Sequence, residues 1–154
     1  MQDAVRQIQE ALESISDRYY RLLLVVGEAG SGKTETLRAL SSVEGYRYVN
    51  LGVELSERMS GLADEQRAIQ VEAVLKDILA TEPSNTFLVD NTEVLFSKSL
   101  QLDPFRALQN ASRNTPVVAA WTGTYRDGTL TYAEPQHPEH RTCQNPDAVI
   151  VALP

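Results

Sequence analysis

The stretch Gly27-Glu28-Ala29-Gly30-Ser31-Gly32-Lys33-Thr34 constrains this chain more than any other feature. It fits G-x-x-x-x-G-K-[ST] in full, with an extra glycine, Gly30, inside the loop. The motif is informative only between a strand and a helix. Both flanks are present: the apolar run "RLLLVV" from Arg21 to Val26 suits a strand covered on both sides, and Leu37 and Leu40 continue a helix predicted to end near Gly45. Glycines permit the positive φ that turns several backbone N–H groups toward one anion, and the helix adds the positive end of its dipole. A glycine turn that merely joins strand to helix is the plain alternative; the complete motif with both flanks argues against it. The predicted nucleotide-phosphate site comprises Gly27, Glu28, Ala29, Gly30, Ser31, Gly32, Lys33, Thr34 and Glu35, with Lys33 reaching the β and γ phosphates and the Thr34 hydroxyl ligating Mg²⁺.

A phosphate cradle needs an acid on a neighbouring strand for the metal's water shell. In "FLVDN", Asp90 ends an apolar run, where parallel strands present ligands, and is the candidate metal-side carboxylate; the alternative is a strand-ending Asp that caps a turn. The following Asn91 takes no proton but can orient a water. Glu93 is the candidate base if the turn brings it round; otherwise it is a solvent-facing carboxylate ahead of Val94, Leu95 and Phe96. Thr122 is read as the end of the strand "VVAAWT", beside the γ-phosphate as a sensor, against a plain strand-ending threonine. Trp121 reads as core or interface and not as a base-stacking residue.

At 154 residues the chain is sized for one domain, and no repeat, low-complexity tract or boundary divides 1–154. The segment 1–18 is predicted as an amphipathic helix, with Ala4, Val5, Ile8, Ala11, Leu12 and Ile15 on one face and Asp3 as cap. "YRYVNLGV" (46–53) reads as a second strand. Residues 64–80 read as a helix through Val71, Val74, Leu75, Ile78 and Leu79, broken by "EPSN" (82–85). Asp103-Pro104 opens a helix to about Ser112. Residues 124–142 form a hairpin and loop insertion with Asp127-Gly128 at the turn, and "DAVIVALP" supplies a last strand. Strands alternating with helices predict an α/β, three-layer core on a mainly parallel five-stranded sheet. The chain stops soon after its last strand, so no C-terminal lid is expected.

The formal net charge of −7 disfavours broad nucleic-acid binding by a monomer. Arg106, Arg113, Arg126 and Arg141 are the arginines that can gather in a local groove. A single cysteine, Cys143, excludes an internal disulfide framework and fits a reducing compartment; with no triad signature it reads as an ordinary thiol. The N-terminus is too polar for a signal segment and no apolar run approaches membrane length, so a cytoplasmic protein without membrane contact is expected. His137 and His140 can supply two metal ligands, but neither a cysteine nor a further histidine completes a set.

The order of these elements resembles the core of the AAA+ class of P-loop ATPases. That resemblance implies that Gly27–Thr34 is Walker A, Asp90 is Walker B, Thr122 is the sensor position and the sheet order is 5-1-4-3-2. Two departures are read here: no lid with its sensor arginine is expected after the last strand, and Asn91 stands where a Glu is usual. A resemblance over nearly the whole chain is carried by "LLLVVGEAGSGKT", "NLGVELSER", "LVDNTEVLF", "LDPFRALQNASRNTPVVAAWTGTY" and "DGTLTYAEPQHPEH". These look like the small P-loop protein of type 3 BREX bacteriophage-defence systems, and the run from Leu102 to His140 gives the likeness its specificity. It implies a bacterial cytoplasmic, ATP- and Mg²⁺-binding regulatory subunit that works with other defence proteins and meets DNA only through the assembled complex. AAA+-type sites are commonly completed by a neighbour's arginine, for which Arg113 and Arg126 are the candidates, and nucleotide-dependent homo-oligomerisation follows. The alternatives are a nucleotide switch that is not turned over, favoured by Asn91 and the missing lid, and a small phosphotransferase.

Overall fold

The computed structural model describes residues 2–80, 85–133 and 136–154. Its centre is β1 (Leu22–Gly27), buried along its full length because parallel neighbours flank it and helices cover both faces. The other parallel strands are β2 (Tyr46–Asn50), β3 (Thr86–Asp90), β4 (Val117–Arg126) and β7 (Val149–Ala152), in the spatial order β2-β3-β4-β1-β7. Numbered among the five parallel strands alone, this is the 5-1-4-3-2 order of an AAA+-like fold. Two antiparallel strands, β5 (Thr129–Tyr132) and β6 (Arg141–Gln144), extend the sheet to seven from the far end of β4.

Period-2 alternation divides the core. On one face α1 (Gln2–Ile15) and α2 (Lys33–Leu40) set Ile8, Ile15, Leu37 and Leu40 against Leu23, Val25, Val118 and Ala120. On the other, α3 (Leu51–Arg58), α4 (Asp64–Ile78) and α5 (Pro104–Ala111) pack Leu55, Val71, Leu75 and Leu108 against Leu22, Leu24 and Ala119. Asp103 caps α5, accepting the Arg106 N–H at 3.2 Å, with Pro104 at its first position as the sequence indicated.

Several boundaries differ from the sequence reading. α1 already includes Gln2, so Asp3 lies in its first turn and is not its cap. α2 stops at Leu40, and Gly45 belongs to the turn before β2, with φ +87°. β2 ends at Asn50, whose side-chain oxygen accepts the Val53 N–H at 3.2 Å; that cap turns "LGV" into α3 instead of continuing the strand. β4 runs through Thr122 to Arg126, because β5 supplies it with an antiparallel partner across the Asp127-Gly128 turn. Both turn residues have positive φ, 51° and 78°, matching the twist of the hairpin. Of the expected helix break, Glu82, Pro83 and Ser84 lie outside the described residues, as do Glu134 and Pro135 of the expected insertion.

Candidate functional site

β1 delivers the chain to the glycine loop at the carboxyl end of the sheet, and α2 begins directly after it. Gly30 and Gly32 take φ of +80° and +99°, values that L side chains rarely adopt. The loop closes on itself at Gly27, where an added Cβ would lie 2.2 Å from Ser31 Oγ. That Ser31 hydroxyl is buried and has no hydrogen-bond partner among the described residues. Lys33 is buried and folds back across the loop, its Nζ donating to the carbonyls of Gly27 at 2.9 Å and Glu28 at 2.8 Å. Burial lowers its pKa, while the nearby carboxylates of Glu93, Asp90 and Glu35 oppose the shift.

β3 ends with Asp90, only 3% exposed, at the opening of this loop. Its Oδ2 accepts the Thr34 hydroxyl at 2.8 Å and the Tyr48 hydroxyl at 2.7 Å, and its Oδ1 accepts the Asn91 N–H at 2.9 Å. Loop and strand-end acid therefore meet, although 56 positions separate them. The sequence reading did not include Tyr48. Its ring lies under the Arg38 guanidinium, 4.6 Å from the centroid, and its phenol is pushed up to about 12, by burial first and then by its bond to Asp90.

Asn91 adopts the left-handed conformation, φ 56° and ψ 47°, and opens the 3-10 segment Thr92–Phe96. Asn is among the residues that reach this region at low cost, so position 91 is set by the turn. Thr92 donates its hydroxyl to the Ala120 carbonyl and pins the segment to β4. Glu93 is thereby brought round to the loop's side, where its carboxylate accepts the Thr122 hydroxyl and acts on Lys33. Thr122 is mid-strand, not strand-ending. Trp121 is core, 3% exposed, edge-on to Phe96 and Phe105.

The four arginines do not converge. Arg113 precedes β4, and its guanidinium sits 4.1 Å over the Tyr19 ring at the end of the sheet away from the loop. Arg126 ends that ten-residue strand, about 30 Å further on at strand rise, and with Gly27–Ser31 and Ala152–Pro154 lines a cavity of about 380 Å³. Arg141 donates to the Leu102 carbonyl at 3.0 Å, and Arg106 is exposed on α5. His137 Nδ1 accepts the Glu139 N–H and His140 Nδ1 bonds the Ala133 carbonyl, both at 3.0 Å, so each ring serves its local turn. Burial, with a smaller contribution from Asp103, raises the Cys143 thiol. No helix among the described residues is long and apolar enough to cross a membrane.

The arrangement fits a phosphate with a hard cation. The donors facing each other are a hydroxyl and a carboxylate, the set through which Mg²⁺ is held together with phosphate and water oxygens, and the buried Ser31 hydroxyl is a polar group awaiting a partner.

The sequence matches no protein-family model and no curated protein. Among solved structures, one from a study of katanin self-assembly shares 16% identity at a TM-score of 0.38, over 75% of this chain and 38% of that one. A structure of C. elegans PCH-2 shares 16% identity at a TM-score of 0.37, over 99% of this chain and 40% of that one. The chain thus spans about two fifths of each of these structures.

Proposed function

We propose that this chain binds ATP with Mg²⁺ in the Gly27–Thr34 loop and hydrolyses it slowly, as a regulatory subunit. The observation that carries the reading is the 2.8 Å bond between the Thr34 hydroxyl and the buried Asp90 carboxylate at the loop's opening. The loop's N–H groups and the dipole of α2 bind phosphate. Lys33 exchanges two loop carbonyls for phosphate oxygens, and Thr34 and Asp90 would hold the Mg²⁺, which neutralises charge on the β and γ oxygens when bound. Glu93 is the base: as a water oxygen bonds to the γ phosphorus and the bond to the bridging oxygen breaks, a water proton passes to its carboxylate, leaving ADP and phosphate. The Thr122 hydroxyl competes with the attacking water for the Glu93 carboxylate, which makes turnover slow. The same bond favours a second reading, a switch that holds ATP without turnover, since Asn91 offers no alternative base.

Steady-state phosphate release and ATP binding test this with Lys33→Ala and Glu93→Gln. Loss of binding in Lys33→Ala, and of release alone in Glu93→Gln, is expected. Tight binding without release by the wild type would leave the switch reading; no ATP binding would sink both.

The resemblance of Leu102–His140 supports the finer reading of a type 3 BREX subunit acting with other defence proteins in the bacterial cytoplasm as a single-domain ATPase. Within that run lie α5, β4 and β5, of which the end of β4 and β5 extend past the end of β1. Co-purification of BREX components with a tagged chain checks it, and a chain that purified without them would count against it. Nucleotide-dependent self-association is read by sizing with and without a non-hydrolysable ATP analogue; an unchanged mass would exclude it.

A further inference from the structure

Arg126 is placed where it can serve the phosphate loop of its own chain. β1 and β4 run in parallel register with Gly27 beside Thr122, so the four residues beyond Thr122 run alongside the loop where it rises past the end of β1. Alternation along β4 sets Thr122, Thr124 and Arg126 on the face of Val118 and Ala120, which is the face covered by α2. The extension is firmly held. Gly123 to Arg126 pair with Tyr132 to Thr129, and Gly123 lies so close to β5 that an added Cβ would meet the Thr131 carbonyl oxygen at 1.8 Å. The Asp127-Gly128 turn then closes the hairpin directly beyond Arg126.

Its freedom sets Arg126 apart from Arg113, committed to Tyr19, and Arg141, committed to the Leu102 carbonyl. The Arg126 side chain is exposed and makes no ion pair or side-chain hydrogen bond among the described residues. It borders a site where Lys33 already faces Asp90, Glu93 and Glu35, so a bound triphosphate needs further positive charge. A guanidinium supplies that charge at any working pH and offers a fork that matches phosphate oxygens.

We propose that Arg126 turns inward onto the terminal phosphate of a nucleoside triphosphate held by the loop of its own protomer, instead of completing a neighbour's site. The proposal rests on the nucleotide-binding reading above, and the experiment separates the two. Dissociation constants for ATP and ADP, with Mg²⁺, are measured for the wild type, Arg126→Ala, Arg126→Lys and Lys33→Ala, and for an equimolar mixture of Arg126→Ala with Lys33→Ala. Phosphate release is followed in parallel. Arg126→Ala is expected to bind ADP as the wild type does, and to lose about tenfold or more of its preference for ATP. Where the wild type turns over, release is expected to fall by about 10³-fold, with little recovery in Arg126→Lys. Mixing restores nothing, because Lys33→Ala contributes an intact Arg126 that can act only from a neighbour. Recovery on mixing would overturn the proposal in favour of a neighbour's arginine, and so would unchanged ATP preference and release in Arg126→Ala. A wild type that binds neither nucleotide would refute the underlying reading before any variant is made.

Discussion

Replacing Tyr48 by Phe removes one oxygen and tests whether Asp90 is oriented as the structure shows. Asp90 is 3% exposed and takes three donors, from Thr34 at 2.8 Å, Tyr48 at 2.7 Å and the Asn91 N–H at 2.9 Å. Losing a hydrogen bond to a charged acceptor costs about 1.5–3 kcal/mol, and the buried carboxylate has little water to replace it. Phe keeps the ring beneath Arg38, so the packing and the cation–π contact persist. For a chain of this length the cost corresponds to a fall in Tm of roughly 3–12 °C. Differential scanning calorimetry measures it, with Asp90→Ala and the double variant completing a cycle. A coupling of about 1 kcal/mol or more is expected between residues in one hydrogen-bond network. If Asp90 is the metal-side acid as proposed, the stabilisation by Mg²⁺-ATP should shrink in Tyr48→Phe more than that by metal-free ATP. Additivity within about 0.3 kcal/mol would refute the reasoning.

Asn91→Glu, which writes in the acid usual for the resembled class, should destabilise by about 1–2 kcal/mol without raising phosphate release, because φ is 56° there; Asn91→Gly should keep both stability and release. Denaturant titrations and release assays on the two variants decide. Tyr48 and Tyr132 both have phenols raised to about 12 from 10.0, so the stability they contribute is complete below about pH 10 and is lost as pH climbs toward 12; urea melts from pH 9 to 12 should show the loss, and less of it in Tyr48→Phe. Trp121 is the single tryptophan and packs edge-on to Phe96 with centroids 5.1 Å apart. Its emission should therefore change when ATP displaces Glu93 from Thr122 and change less with ADP, and equal responses would count against that displacement.

The parts of the site that are contiguous in the chain were legible in the sequence. The glycine loop carries its own flanks, and Asp90 follows an apolar run that suits a covered parallel strand. Tyr48 was not legible, because its meeting with Asp90 depends on the register of β2 against β3 across 42 positions. Residues 46–53 read as one strand, and the bond from the Val53 N–H to Asn50 is what ends the strand there and starts α3. The extension of β4 is hidden by its mixed residues, Gly123 to Arg126, whose partner strand is β5, and β6 is mostly exposed and lacks an apolar face to signal it. At Asn91 the sequence invites a question about proton transfer, whereas the residue's backbone conformation supplies the answer.

The same turn connects the candidate site to the added strands. The segment that presents Glu93 ends in Phe96, whose ring stacks on Tyr132 of β5 with centroids 3.5 Å apart and planes 11° apart, while Trp121 stands edge-on to both. Interiors packed at this density do not deform gradually. A movement of the segment's backbone would therefore break the stack or carry β5 with it, whereas a rotation of the Glu93 side chain alone would not. Among the described residues β6 pairs with β5 alone and is mostly exposed, so a movement of β5 would reach the surface there. If the loop binds ATP as proposed and ATP favours one placement of β5, a partner that favours the same placement would tighten ATP by an equal factor. If Glu93 on the 3-10 segment and Arg126 on the β4–β5 hairpin act as proposed, the surface carried by β5 and β6 would come to depend on the phosphate state of the loop.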